Sequence, residues 1–334
     1  MVGKLLQTLS KVGINAFFFL LIATIVLAWF FPSYGTPESV FQLPRIASWG
    51  VSLIFFFYGL KLSPESLRNG LSNWRLHLVV QLSTFVLFPL IILLLRLVFP
   101  DYFAGLIGLG IFYLAALPST VSSSVVMVSI AGGNMAAAIF NASVSSIIGI
   151  FITPLWMSGI MEKANAGFDI GHTILRLCLE VLLPVVLGLL MHHRLGKWAG
   201  QHKMALRNFD QLIILLIVYT SFCESFSGNM FTNFSFAEIG FLALMMLLFF
   251  FVVFGLMYLL ANLMHFNRED RITILFCGSK KSLVQGAVMG KVLFAGDALL
   301  GVALLPLMLY HALQLLAGST LAQAMAVSKN KETV

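Results

Sequence analysis

Ten stretches of this chain carry almost no charge and approach the length of a bilayer crossing: 14–31, 46–60, 76–98, 103–130, 134–160, 173–191, 209–225, 237–262, 271–293 and 298–322. A hydrocarbon core of roughly 30 Å takes about 20 helical residues to cross. Lipid offers the backbone no hydrogen-bond partner, so each segment must form a helix that satisfies its own peptide groups. The pattern therefore specifies an all-α polytopic membrane protein with about ten transmembrane helices, a lipid bilayer being its first partner. Composition agrees: 60% of the 334 residues are hydrophobic and 10% charged, against about 45–50% and about 25% in soluble domains. The first run, Ile14 to Phe31, is longer than a signal-peptide core and no small-x-small cleavage site follows it, so it reads as a retained span.

Lysine and arginine placement orients the spans. With the N-terminus inside, the cytoplasmic segments hold Lys4, Lys11, Lys61, Arg68, Arg75, Arg194, Lys197, Lys203, Arg207, Arg268, Arg271, Lys329 and Lys331. The outer connections hold Arg45, Arg96, Lys163 and Lys291. Thirteen against four places both termini in the cytoplasm. The same asymmetry explains the net charge of +7, and no nucleic-acid partner is called for. Cys178, Cys223 and Cys277 lie far apart, with no CxxC or metal spacing, which supports neither a disulfide framework nor a metal site. No cofactor box is present.

Two connecting segments stand out. Residues 61–75 are amphipathic, with Pro64 where a helix can start, and read as an interfacial helix anchored by Trp74. Residues 192–203 are a second basic interfacial segment near the midpoint. They divide the chain into 1–191, spans 1–5 plus span 6, and 192–334, spans 7–10. Two sets of five spans lie in opposite orientations, the inverted-repeat arrangement of many secondary transporters. The tail from Ser328 to Val334 is polar and reads as unstructured.

The fourth and ninth spans, counterparts in the two halves, are both interrupted. One contains Leu117-Pro-Ser-Thr-Val-Ser-Ser-Ser124, so Pro118, Ser119, Thr120, Ser122, Ser123 and Ser124 are candidate site residues. The other contains Cys277-Gly-Ser-Lys-Lys-Ser282 inside an otherwise apolar stretch. Gly278, Ser279 and Ser282 are poor helix formers. Lys280 and Lys281 cost several kcal/mol in lipid unless they face protein or a water-filled cavity. Matched broken helices are the sequence mark of a transport site, and Cys277, Lys280, Lys281 and Gln285 join the candidates. Adjacent helical residues point about 100° apart, so the two lysines do not serve one site together.

Other polar groups are weighed against plain packing. Asn141 and Ser145 share a face of the fifth span, and Asn141 needs partners for both its donor and its acceptor. Arg176 and Glu180 read as a structural ion pair, Glu224 as interfacial, and His311 as a satisfied packing histidine sharing a face with Gln314. No GxSxG, HExxH or paired intramembrane aspartates support catalysis.

Phe276-Cys-Gly-Ser-Lys-Lys-Ser-Leu283, Leu117-Pro-Ser-Thr-Val, Ala131-Gly-Gly-Asn-Met-Ala-Ala-Ala138 with Ser143-Val-Ser-Ser146, and Trp74-Arg-Leu-His77 with Phe85-Val-Leu-Phe-Pro89 resemble the bile acid:sodium symporter superfamily. The resemblance is to its symporter-like branch, bacterial proteins akin to the seventh member of human solute carrier family 10, and covers roughly Ile14 to Ser319. It implies a multi-pass inner-membrane protein of ten helices in two inverted repeats. A core of 76–160 and 237–322 and a panel of 14–60 and 173–225 are expected, with helices four and nine unwound and crossing. In sodium-coupled relatives, ions sit beside that crossover. The helix-four ligands map near Ser122, Ser123 and Ser124, and a helix-three ligand onto Gln81 or Thr84. The helix-five hydroxyls map near Ala138 and Ala142, and the helix-nine glutamate near Phe276 or Cys277, where no carboxylate stands.

Sodium prefers several oxygens, at least one of them charged, and a fixed ammonium nearby repels it. An ammonium can instead take the ion's place, donating to the same carbonyls and hydroxyls. The expectation is that Lys280 or Lys281 replaces a sodium ion, and that coupling is proton-based or absent. The leading function is alternating-access transport of a small organic anion. The alternative is a regulatory membrane protein that keeps the fold without transport. Cation/proton antiport would want an aspartate where the fifth span has Asn141.

Overall fold

The computed structural model describes residues 16–61, 73–120, 122–164, 175, 178–229, 235–294 and 299–332, and every regular element among them is helical. The helices are α1 (Ala16–Phe30), α2 (Leu43–Lys61), α3 (Trp74–Val98), α4 (Leu106–Ala116), α5 (Ser122–Ala131) and α6 (Met135–Ala164). They continue with α7 (Leu183–Gln201), α8 (Lys203–Ser227), α9 (Phe236–Leu263), α10 (Arg268–Gly278), α11 (Leu283–Leu293) and α12 (Leu299–Glu332). Seven of them (α2, α3, α6, α7, α8, α9 and α12) are each long and apolar enough to cross a bilayer. The chain is a polytopic membrane protein. Large apolar side chains such as Leu94, Leu97, Leu190 and Leu263 face outward, as a lipid-facing surface requires.

The remaining expected spans are short for local reasons. α4 stops because Leu117 precedes Pro118 and is held extended (φ −73°, ψ 155°), so the run at 103–130 becomes α4 and α5. The run at 271–293 divides into α10 and α11 around Ser279–Ser282. There Ser282 caps the second piece by accepting the Gln285 N–H at 3.3 Å. At the other end of α10, Asn267 accepts the Asp270 N–H at 2.8 Å, and Glu269 and Asp270 in the first turn complement the helix dipole.

α1, α2, α7 and α8 pack on one another; α4, α5, α9, α10 and α12 form a second cluster with α3 and α6. α8 leans on α11 and α12. The tightest crossing, α2 on α7, is made by Gly59 and Gly188. A Cβ on either would collide with the other helix's backbone, so two glycines let the helices touch where lipid supplies no hydrophobic drive.

Two local expectations need correction, and a third falls largely on residues outside the described ones. The basic segment at 192–203 is not a separate linker: α7 runs on to Gln201 and the chain turns at His202, whose ring stacks on Trp198 at 4.9 Å. The polar tail is helical as far as Glu332, since Ser328–Glu332 holds no glycine or proline to stop α12. Of the expected interfacial helix, residues 62–72 lie outside the described ones, and Trp74 opens α3.

Candidate functional site

The two interruptions meet inside the protein: the Ser282 N–H donates to Pro118 O at 3.0 Å. Ending a helix orphans its last carbonyls, and in a dry interior each needs a donor. At α4 they are found one by one. Leu114 O accepts the Leu117 N–H at 3.2 Å, and Ala116 O accepts the Thr153 hydroxyl at 2.8 Å. Ala115 O and Leu117 O both accept from Lys281 Nζ at 2.7 Å.

The third partner of Lys281 is Thr84 O, at 2.6 Å. This carbonyl is free because Ser83–Leu87 winds as a π turn, in which Ser83 O takes the Phe88 N–H. In that register Thr84 O falls to Pro89, which has no N–H. Phe85 O is freed beside it and accepts the Trp156 indole at 2.8 Å. One ammonium with three donors thus meets three orphaned carbonyls, completely buried, 4.1 Å from the centre of the Phe88 ring. The Thr84 hydroxyl itself bonds back to Val80 O at 2.8 Å, so this residue serves through its carbonyl.

Gln314 fixes the lysine's backbone. Its Oε1 accepts the Lys281 N–H at 2.9 Å and its Nε2 donates to Lys281 O at 2.7 Å, with a further contact of 2.9 Å to His311 Nδ1. Lys280 points the other way. Its Nζ donates to Ser123 O at 3.3 Å, touches the Met127 sulfur and lies 5.5 Å from the Phe276 ring centre. Both lysines are fully buried and they diverge, as adjacent residues should.

The end of α10 is completed by hydroxyls, largely from the other elements. Phe276 O accepts from Ser124 at 3.1 Å, Cys277 O from Ser119 at 2.7 Å and Gly278 O from Ser83 at 2.8 Å. Leu275 O accepts from Ser279 at 2.6 Å, and Ser279 O from Tyr310 at 2.7 Å. The Ser145 hydroxyl accepts the Ser119 N–H at 3.0 Å. The serines of one break therefore hold the carbonyls of the other.

Beside this crossover lies a cavity of ≈ 520 Å³ between the two helix groups. The crossover contributes Thr120, Ser123, Ser282 and Val284, and α12 contributes His311; α2, α7 and α8 contribute Tyr58, Lys61, His192, Lys203, Arg207 and Asp210. Lys61 pairs with Asp210 at 3.2 Å, which leaves Lys203 and Arg207 as excess positive charge on the wall. The N-terminal turns of α5 and α11 border the same space and add their partial positive charge. Tyr58 also lies beside Ser146 and Gln285, where α2 meets α6 and α11. Gln285 Oε1 is buried beside it with no hydrogen-bond partner.

Gln81 and Asn141 bond to each other, Nε2 to Oδ1 at 3.2 Å, and join α3 to α6. Side-chain placement for Ser122, and all of Arg176, lie outside the described residues. Glu224, near the end of α8, pairs with Lys291, 4.0 Å away. Sequence reasoning passed over Asp270, a buried carboxylate that accepts amide N–H groups from Asn73 and Asn134 at 2.9 Å and Asn267 at 3.1 Å. It also missed Tyr58 and Tyr310. The proline five residues after Thr84 was the available signal for the freed carbonyl.

A family model described as the SBF-like CPA transporter family matches residues 15–327. An uncharacterized protein of Pseudomonas aeruginosa is 40% identical over 310 residues, covering 92% of this chain and 91% of its own. An Escherichia coli protein, YfeH, whose name presents it as a candidate symporter, is 37% identical over 93% of this chain and 92% of its own. The sodium/bile acid cotransporter 7 of Rattus norvegicus is 31% identical over 81% of this chain and 80% of its own.

Proposed function

The chain belongs to the SBF-like CPA transporter family, and on that footing we propose that it is a secondary active transporter of a small organic anion in which the Lys281 ammonium takes the place of a coupling sodium ion. It is a transporter rather than an enzyme. The observation that carries the finer reading is the Lys281 cage: three carbonyls at 2.6–2.7 Å around one fixed positive charge. This donor set does not fit a sodium ion. It holds no carboxylate, and an ammonium a contact away would repel the ion. Coupling is then to protons or absent.

Several features support alternating access through two inverted repeats. α4 with α5 and α10 with α11 are helix pairs of similar length, broken at the same ordinal place and joined at their breaks. The two packing groups correspond to a panel (α1, α2, α7, α8) and a core carrying the crossover. The cavity between them has Lys203, Arg207 and two helix N-termini on its wall, which favours a negatively charged solute. The basic residues at its mouth support a reading in which that mouth is cytoplasmic, with both termini on the same side of an inner membrane.

The test is flux in proteoliposomes supplied with a mixture of cellular organic acids, analysed by mass spectrometry. Accumulation of an anion without sodium, raised by an imposed proton gradient, is the expected result. Strict sodium dependence would sink the ammonium-for-ion reading. Flux of nothing under any gradient would favour a non-transporting regulatory role.

A further inference from the structure

We propose that Lys291 and Glu224, with Glu180 beside them, are the gate that closes the far end of the solute path; this rests on the transporter reading above. Lys291 Nζ lies 4.0 Å from Glu224 Oε1, with only 10% and 12% of the two side chains exposed. Glu180 adds a second carboxylate whose field acts on the same ammonium. The pair joins α11, which carries the crossover, to α8, and Glu180 lies in the π turn that leads into α7. It therefore bridges the two groups of helices that alternating access must separate.

Four positions along the chain put this cluster opposite the cavity. α8 lines the cavity from Lys203 to Ile214 and bears Glu224 at its other end, fourteen residues or about 21 Å beyond Asp210. α7 lines it from His192 to Gly200, whereas Glu180 precedes that helix. α11 lines it at Val284 and carries Lys291 in its last turn. α2 lines it at Tyr58 to Lys61, while Ser52, closer to the helix's start, donates to Glu180 O at 3.4 Å. Along every one of these elements, cavity and ion cluster are at opposite ends.

A second contact seals the same end. Gly301 of α12 lies so close to α8 that a Cβ there would collide with Ser225 Oγ and Ser221 O. Backbone contact of this kind closes a path without leaving room for a solute.

An ion pair suits such a gate. Closed, the charges are shielded from water and attract strongly; opened, water solvates each partner and offsets the lost attraction. The two states can then lie close in free energy, which a purely apolar seal would not allow in water. Lys291 is thereby assigned a different task from Lys281, which makes no contact with a carboxylate and stays with the crossover.

The test is hydrogen-exchange mass spectrometry of the full chain in lipid nanodiscs, comparing the wild type with Lys291→Met, Glu224→Gln, Lys291→Arg and Gly301→Val. The expected result is exchange about tenfold faster in Lys291→Met, Glu224→Gln and Gly301→Val, confined to α11, the start of α12 and the cluster ends of α2, α7 and α8. Exchange in α3 and α9 should stay at the wild-type rate, and Lys291→Arg, which keeps the charge, should match the wild type. Unchanged exchange in Lys291→Met, or a rise spread evenly over the protein, would overturn the proposal. So would loss of the Lys291→Arg match. Exchange reads opening without any solute, so local opening with no liposome flux would retire the transporter reading, and the gate with it, while keeping the ion pair as a latch between the two helix groups. Flux with unaltered exchange would retire the gate alone.

Discussion

Lys281→Met is expected to cost at least about 3 kcal/mol of stability, since three buried carbonyls lose their donor at about 1–3 kcal/mol each. The carbonyls of Thr84, Ala115 and Leu117 converge on one Nζ. Against a total stability of about 5–15 kcal/mol, that loss should lower the melting temperature sharply or prevent recovery of folded protein. Lys281→Arg should rescue little, because a planar guanidinium spreads its donors apart where these acceptors require a point. Lys280→Met removes one carbonyl bond and a thioether contact, so its effect should be about a third as large. Thermal melts in detergent, followed by tryptophan fluorescence, give the comparison. Equal effects from the two lysines would mean that the carbonyl cage is not what Lys281 serves.

Asp270→Ala is expected to be the next most damaging change. The carboxylate ties Asn73 at the head of α3, Asn134 just before α6 and Asn267 at the cap of α10 through three amide bonds at 2.9–3.1 Å. Bonds to a charged acceptor contribute about 1.5–3 kcal/mol each, so removing it should cost several kcal/mol. Asp270→Asn should be nearly as harmful, because a fourth amide would present a donor to donors. Asn134→Ala, which deletes one of the three arms, should have a clearly smaller effect in the same melts. If Asp270→Ala melted like the wild type, the cluster would be an ornament of the surface rather than a tie between helices.

The long spans and the two broken ones were legible because they follow from local rules: apolar length for α3, α6, α8, α9 and α12, and Pro118 or Gly278 for the breaks. The two lysines diverge, but helix geometry is not the reason, since both lie in the non-helical stretch between α10 and α11. What could not be read was which carbonyls each lysine would meet. That depends on the loop between α10 and α11 lying against the end of α4 and the π turn at Ser83–Leu87, a tertiary fact. Asp270 stayed hidden because its three asparagine partners sit 3, 136 and 197 residues away. The partner of Glu224 stayed hidden for a similar reason. This glutamate's position near the end of an apolar run suggests the interface, and only the fold brings Lys291 to it.

The central claim is that the protein supplies its own cation at the crossover. Its most direct test is the melting temperature of the purified wild type in sodium chloride and in N-methylglucamine chloride at equal ionic strength. A ligand that binds only the folded state raises stability in proportion to the logarithm of its concentration over its dissociation constant. With Lys281 seated among the three carbonyls, the two melts should coincide at every concentration; a rise specific to sodium would contradict the account.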